Sequence, residues 1–261
     1  MEKIIFDFSS VTDYNIVVCG VGGTGSNLIP FLTQVVASSK DKNITITLAD
    51  GDIVEEKNLK NQKFTQKDIG KPKAEVLAER YKRIYPDLDI YHYDRYITDV
   101  DTLVKLFLTN KRTYTRYFPI LIGCVDNNAT RQLFHKAFYD ETLPDLIYID
   151  SGNGTIEMNG QVVIGLKKRG KVILPPVGDV YPQIFEDNDN IENEVGCSID
   201  NFEHPQNICT NVFAAVTIFS VLNNLLFFNK LYKHIYLFNA EEGTINTRDI
   251  ILKENVRNEN I

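Results

Sequence analysis

The chain is short of several things that would place it quickly. It has only four cysteines, Cys19, Cys124, Cys197 and Cys209. None forms a C-x-x-C pair, so no structural zinc is expected. It has no basic excess. The formal net charge is -7 and the pI about 5.2. Non-specific nucleic-acid binding, which depends on displaced counterions, is therefore not expected. No apolar run is long and unbroken. The longest, Val212–Phe228, is interrupted by Thr217, Ser220, Asn223 and Asn224, and reads as a core helix and not a membrane span. The start, Met1–Phe8, lacks the apolar stretch of a signal peptide. A cytoplasmic protein is the expectation. No internal repeat is visible.

What is present is enough for a large core: 261 residues, 43% hydrophobic and 24% charged. Asn15–Cys19 (NIVVC) is a short β-branched run that ends in glycines and reads as a buried parallel strand. Thr24–Ser39 carries apolar residues at helical spacing, with Pro30 placed to kink its first turns. Ile44–Ala49, Ile90–Ile97 and Phe118–Cys124 read as further strands, and Lys73–Ile84, Val100–Thr109 and Ala129–Tyr139 as helices. Strands alternating with helices predict β-α-β units and a parallel sheet. After Asp145 the pattern changes. Leu146–Asp150 and Gln161–Leu166 read as strands, Leu174–Asn207 as an irregular segment, Pro205–Asn229 as a long helix and His234–Asn239 as a late strand. The tail after Lys253 is polar and reads as frayed. The predicted architecture is α/β: a Rossmann-like, doubly wound, mostly parallel sheet with C-terminal antiparallel strands and a long helix. Residues 1–145 form the nucleotide-binding half. Residues 146–261 complete the same domain, with 174–207 as an irregular crossover.

Chemistry concentrates first at Gly20-Val21-Gly22-Gly23-Thr24-Gly25-Ser26. This is G-x-G-x-x-G between a strand and a helix, the context that gives the motif meaning. Its glycines allow a tight turn and close approach of backbone to phosphate, and the helix N-terminus adds free N–H groups and a positive dipole. Asp50 and Asp52 close the second strand, where an acid accepts hydrogen bonds from ribose hydroxyls. Up to this point NAD and ATP fit equally well.

Three further segments are more specific: Asp50-Gly51-Asp52 through Asn58-Leu59-Lys60-Asn61-Gln62, then Gly70-Lys71-Pro72-Lys73, then Cys124-Val125-Asp126-Asn127 with Arg131. In order and spacing this set resembles the ThiF/MoeB/E1-like family, whose members activate ubiquitin-like and sulfur-carrier proteins with ATP. The resemblance covers about Ile16–Tyr139. It implies an adenylyltransferase that takes ATP and Mg²⁺, and a small ubiquitin-like or sulfur-carrier partner ending in glycine. It also implies a homodimer. By the same resemblance the ATP site comprises Gly20, Gly22, Gly23, Gly25, Ser26, Asp50, Asp52, Asn58, Gln62, Lys73, Asp126, Asn127 and Arg131. Lys73 faces the phosphates, Asp126 holds Mg²⁺, Asp50 the ribose, and Asn58 and Gln62 the triphosphate. Arg131 either touches phosphate or pairs with an acid. Taken singly, each has a plainer reading: Lys73 as a solvated helix lysine, Asp126-Asn127 as a helix N-cap.

The chain departs from the family's N-L-x-R-Q pattern, with Asn61 where arginine is usual. Asparagine donates hydrogen bonds but carries no charge toward the transferring phosphates. Two alternatives to an active adenylyltransferase therefore stay open: a catalytically weak ATP-binding adaptor, and an NAD-dependent oxidoreductase, which would leave Lys73 and Asp126 without roles. Cys197 is the candidate thiol for a thioester or persulfide, with an incidental cysteine as the equal alternative. Cys209 reads as core. Cys197-Ser198, Gln206, Asn211 and Ala214-Ala215, with Thr24, Ser26 and Pro30, also resemble the ThiF-like proteins of the PRTRC system.

Overall fold

The computed structural model describes residues 5–108, 117–154, 158–186 and 207–248. The strands are β1 Phe6–Asp7, β2 Asp13–Cys19, β3 Asn43–Ala49, β4 Asp89–Tyr93, β5 Tyr117–Gly123, β6 Leu146–Asn153, β7 Asn159–Lys168, β8 Lys171–Leu174, β9 Lys230–Leu231, β10 Ile235–Asn239 and β11 Thr244–Arg248. The helices are α1 Gly23–Ser38, α2 Lys73–Ile84, α3 Val100–Leu108, α4 Asn128–Tyr139, α5 Val177–Val180 and α6 Ile208–Phe228.

A nine-stranded sheet carries the fold, in the order β11-β10-β7-β6-β5-β2-β3-β4, with β8 alongside β7. From β4 to β6 the neighbours are parallel; from β6 to β11 they are antiparallel. This is the expected α/β architecture. The order runs outward from β2 to β3 and β4 on one side, then to β5 and β6 on the other. That reversal opens a crevice at the carboxyl ends of β2 and β5, where doubly wound sheets bind ligands.

Strand alternation explains the two apolar layers. Ile16 and Val18 of β2 face one way, with Ile46, Ile120 and Ile149, into a core completed by α1, α2 and α6. Val17 and Cys19 face the other way, toward Leu103 and Phe107 of α3 and Phe134 and Phe138 of α4. Both faces of the central strands are thus buried, which is why they read as unbroken apolar runs.

Several boundaries differ from expectation. The first parallel strand starts two residues earlier, because Asp13 and Tyr14 pair with β3 and β5. The predicted strand Ile90–Ile97 stops at Tyr93. There the Tyr93 carbonyl accepts Asp50 N–H at 3.1 Å, and the chain turns away toward Tyr96. α1 runs through Pro30 as one helix. Leu174–Asn207 is not irregular throughout, since α5 and a 3₁₀ turn at Pro182–Phe185 occupy its first part. Residues 187–206 and the tail after Lys253 lie outside the described residues. The long helix begins at Ile208, capped by the Asn207 side chain, and ends at Asn229, which is left-handed with φ 56°. Strands β1, β8, β9 and β11 were not expected from sequence. β1 and β9 form a separate two-stranded sheet.

By length and composition α6 could cross a membrane, yet half of its most apolar stretch is buried. Its buried face packs against α1, β6 and β7, as expected of a core helix. Cys209 corrects the sequence reading. It sits in the first turn, before the buried face begins at Thr210, and its side chain is exposed. Cys19 is buried and Cys124 partly so, and both are free thiols. Burial raises both thiols well above the usual range, with the charge of Asp150 adding to the effect at Cys124.

His234 is fully buried and its Nε2 lies 2.9 Å from the Pro175 carbonyl. The neutral ring therefore carries its proton on Nε2 and donates there. Burial lowers its pKa below the ordinary 6.5, against the weaker pull of that carbonyl. The unfolded chain then binds a proton that the native state refuses. Stability is complete above about pH 6.5 and declines as pH falls from there through the folded pKa. In His234→Gln, which keeps a donor but cannot titrate, the drop in unfolding temperature between pH 7.5 and 5.5 should be smaller than in wild type. Equal drops would remove His234 as the cause.

Candidate functional site

The crevice is built from backbone first. β2 ends at Cys19, and Gly20 follows with φ 83°, a left-handed conformation that glycine adopts without strain. Its N–H donates to Ala49 O at 2.9 Å. A side-chain carbon on Gly25 would lie 2.0 Å from Gly20 O, inside any contact distance. These two positions therefore require glycine. The tight turn brings the start of α1 to the sheet's carboxyl edge. Gly22 is the N-cap and, having no side chain, makes no capping hydrogen bond of its own. The first N–H groups of a helix have no partner within it, and here they follow directly on the turn at the carboxyl end of β2, where an anion site would need them.

On the β3 side, Asp50 braces the turn. Its Oδ2 accepts Val21 N–H at 2.7 Å and its Oδ1 accepts Asp52 N–H at 2.9 Å. Asp52 in turn accepts from Lys73 Nζ at 2.7 Å and from the Tyr96 hydroxyl. Lys73 is buried, 5% exposed, at the first position of α2. It is not the solvated helix lysine of the plainer reading. The two acids are pushed apart. Burial raises Asp50 above the usual carboxylate range, although Lys73 opposes this. Burial acts on Asp52 too, but Lys73's charge and the bonds from Lys73 and Tyr96 outweigh it and hold Asp52 below.

A strap covers the glycine turn. Its 3₁₀ turn, Glu56–Lys60, is closed reciprocally by Glu55 and Asn58, with Asn58 Oδ1 accepting Glu55 N–H at 2.8 Å. Asn58 is thus buried as a cap. Gln62 lies beside Gly22, its Nε2 3.5 Å from where a Gly22 side-chain carbon would be. Ser26 is wholly buried and its Oγ accepts Lys63 N–H at 3.1 Å, so this hydroxyl anchors the strap. Asn61 closes the 3₁₀ turn, its N–H 3.3 Å from Asn58 O.

On the β5 side, Cys124 N–H donates to Cys19 O at 2.8 Å and joins the two strand ends. Asp126 follows, exposed at the crevice. Asn127 is the N-cap of α4, accepting Thr130 N–H at 2.7 Å. Arg131 pairs with buried Asp150 at 3.1 Å, the acid-pairing alternative. Among the described residues no three His, Cys, Asp or Glu side chains group to hold a metal ion. Mg²⁺ does not need such a cage, since one carboxylate plus phosphate oxygens and water is its common arrangement. Asp126, a single exposed carboxylate after β5, fits that donor set.

Sequence reasoning missed Tyr96, Asp150 and Asn153. Asn153 Nδ2 donates to Thr24 Oγ1 and to Asn211 Oδ1, each at 3.0 Å, tying the glycine turn to β6 and α6. Asn211 Nδ2 lies 2.5 Å from where a Gly23 side-chain carbon would be. These are contacts between distant elements that no local motif announces. Cys197 lies outside the described residues, as do Ser198 and Gln206.

The chain matches the ThiF family over residues 7–259. It is 29% identical over 174 residues to the NEDD8-activating enzyme E1 catalytic subunit of Saccharomyces cerevisiae, spanning 63% of this chain and 49% of that protein. It is 28% identical over 128 residues to the sulfur carrier protein ThiS adenylyltransferase of Escherichia coli, spanning 48% of this chain and 44% of that one. The chain thus spans about half the length of these relatives. In fold it is similar to E. coli MccB crystallised with ATP, with TM-score 0.56, 16% identity, and 90% and 63% of the two chains covered. It is also similar to PaaA, with TM-score 0.60, 16% identity, and 92% and 64% covered. The chain belongs to the ThiF family.

The glycine turn gives a direct test. Gly25→Ala forces the new carbon against Gly20 O, so the turn must open. If the turn holds a nucleotide, wild type should gain unfolding temperature with ATP and Mg²⁺ and this variant should not. A wild-type response to ATP in this variant would mean that the turn does not hold the nucleotide.

Proposed function

We propose that this ThiF-family chain is an ATP-dependent adenylyltransferase acting on the C-terminal carboxylate of a small ubiquitin-like or sulfur-carrier protein. The observation that carries the reading is the convergence of the glycine turn, the Asp50–Asp52–Lys73 set and Asp126 on one crevice at the switch of strand order. The relatives support the reaction class: E1-like activating enzymes and a sulfur-carrier adenylyltransferase.

The chemistry needs positioning more than covalent help from the protein. A carboxylate oxygen of the carrier attacks the α-phosphorus of ATP. The bond to the pyrophosphate oxygen breaks, and an acyl-adenylate and pyrophosphate result. In this reading the N–H groups of the α1 N-terminus bind phosphate oxygens, and Lys73 supplies positive charge. Asp50 stands where a ribose hydroxyl would donate to it. Asp126 would hold Mg²⁺, which when bound supplies charge neutralisation on the phosphates. Lys73 is already neutralised by Asp52, so its charge becomes available to phosphate only as that pair is shared. Tyr96, the second donor to Asp52, favours such sharing by keeping Asp52 hydrogen-bonded throughout. Cys197 remains the candidate for any later thioester or persulfide step, and a cytoplasmic homodimer belongs to the same reading.

Asn61 favours a second reading, an ATP-binding adaptor of the same family with little turnover. The two separate on one substitution. If the missing charge limits the rate, Asn61→Arg should raise carrier-dependent ATP–pyrophosphate exchange by about tenfold or more, since arginines that stabilise transferring phosphates are worth at least that. No gain, with wild type active, would mean that another cation already serves.

Asp126→Asn should cut exchange by about a hundredfold, the cost typical of removing one electrostatic contact in the transition state. Wild type should be stabilised by about 2.7 kcal/mol when ATP with Mg²⁺ is at a hundred times Kd, with NAD giving no shift. Stabilisation by NAD alone would reverse the assignment.

A further inference from the structure

Arg131, near the crevice, is held by four protein acceptors. Its side chain is 11% exposed. Nε donates to Asp150 Oδ1 at 3.1 Å. Nη2 donates to two carbonyls, Val125 at 2.7 Å and Ser151 at 3.1 Å. Nη1 donates to Asn128 Oδ1 at 3.1 Å. One guanidinium thus joins the end of β6, the turn after β5 and the first turn of α4. A side chain so engaged has little left to offer an incoming phosphate.

Its partner is equally committed. Asp150 is 1% exposed, and its Oδ2 accepts the hydroxyl of buried Tyr148 at 2.7 Å. Gly123 leaves the room for it, since a side-chain carbon there would lie 2.9 Å from Asp150 Oδ2. A buried ion pair is a poor way to gain stability. Its desolvation cost nearly cancels its attraction, and apolar replacements are often neutral or better. Something other than stability is needed to account for it.

Two of these contacts fall on one short segment and the other two tie it to β6. Val125, just before Asp126, is held by its carbonyl. Asn128, just after Asn127, is held by its amide oxygen, and Asn127 is fixed by capping α4. Asp126 is left exposed between clamped neighbours. We propose that the Arg131–Asp150 pair positions Asp126 by clamping the turn from Val125 to Asn128 onto the ends of β5 and β6. The clamp is a claim about this chain's own structure. Its effect on rate rests on the adenylyltransferase reading above.

The test uses the full chain and the double variant Arg131→Met/Asp150→Leu, which removes both charges together. Either single change strands a buried charge, or a buried acceptor set, and should lower the unfolding temperature more than the double does. In the double variant, amide exchange at Cys124 and Thr130 should speed up by about tenfold or more over wild type, while central β2 and β5 amides keep their protection. Arg131→Lys is the second variant. It keeps the charge but, lacking the planar fork, cannot reach Val125 O, Ser151 O and Asn128 together, so it should loosen the same amides in a folded chain. Unchanged exchange at Cys124 and Thr130 in both variants overturns the clamp, whether or not the protein is active. Carrier-dependent ATP–pyrophosphate exchange should fall about a hundredfold in kcat, the cost of a small misplacement of a reacting group, with KM for ATP little changed. Full kcat with a loosened turn overturns the positioning role. A wild type that shows the clamp by amide exchange but no adenylation overturns the functional reading and leaves the clamp standing.

Discussion

The whole site depends on one steric constraint: the carbonyl of Gly20 occupies the space where a residue at 25 would carry its side chain. Only glycine at both ends of that contact lets the chain leave β2, turn left-handed and enter α1 within a few residues. The turn starts α1 at the carboxyl end of β2. Once it is made, the neighbouring strand ends have fixed places. Ala49 receives the Gly20 N–H, Asp50 receives the Val21 N–H, and Cys124 N–H reaches Cys19 O. The acids that follow β3 and β5 are thereby carried to either side of the turn. The site is a consequence of backbone geometry, and the charged side chains decorate it.

Around that turn the structure spends buried polar groups freely. Lys73, Asp150, Asn58, Asn211 and Ser26 are all nearly or wholly buried. Such groups cost free energy unless they are hydrogen-bonded, and here they bond mostly to segments distant in sequence. Ser26 holds the strap, Asn153 joins the turn to α6, and Arg131 joins β6 to α4. The pattern suits a site that must be rigid before substrates arrive. Preorganised dipoles and charges cost no rearrangement at the moment of reaction.

Much of this was legible in the chain. The central strands were visible because both faces of a parallel sheet are buried and only apolar β-branched runs satisfy that, as in NIVVC and ITITLA. The glycine turn was visible because a tight strand-to-helix turn constrains residue type at fixed spacing, and Asp50, Lys73 and Asp126 stood out only through the motif order that the chain shares with the ThiF family. The short strands β1, β8, β9 and β11 were not, since a few residues carry no readable period and pairing partners lie far away. Tyr96 escaped for a similar reason. Its role follows from β4 ending at Tyr93, where the Tyr93 carbonyl meets Asp50 N–H, a long-range bond that the apolar pattern from Ile90 to Ile97 does not encode. Cys209 was misplaced because an apolar helix was assumed to bury its first turn, whereas burial starts one residue later.

The ThiF-family match and the sheet order describe the scaffold, and activation of a carrier is what that scaffold is proposed to do. The most direct observation is the intact mass of a co-expressed small protein ending in glycine, taken after incubation with this chain, ATP and Mg²⁺ under conditions that trap the acyl-adenylate. The account predicts a gain of one adenylyl group on the carrier's C-terminus, formed about a hundredfold more slowly when Asp126 is replaced by asparagine. A chain that binds ATP at the glycine turn yet leaves the genuine carrier unmodified, with or without arginine at 61, would contradict it.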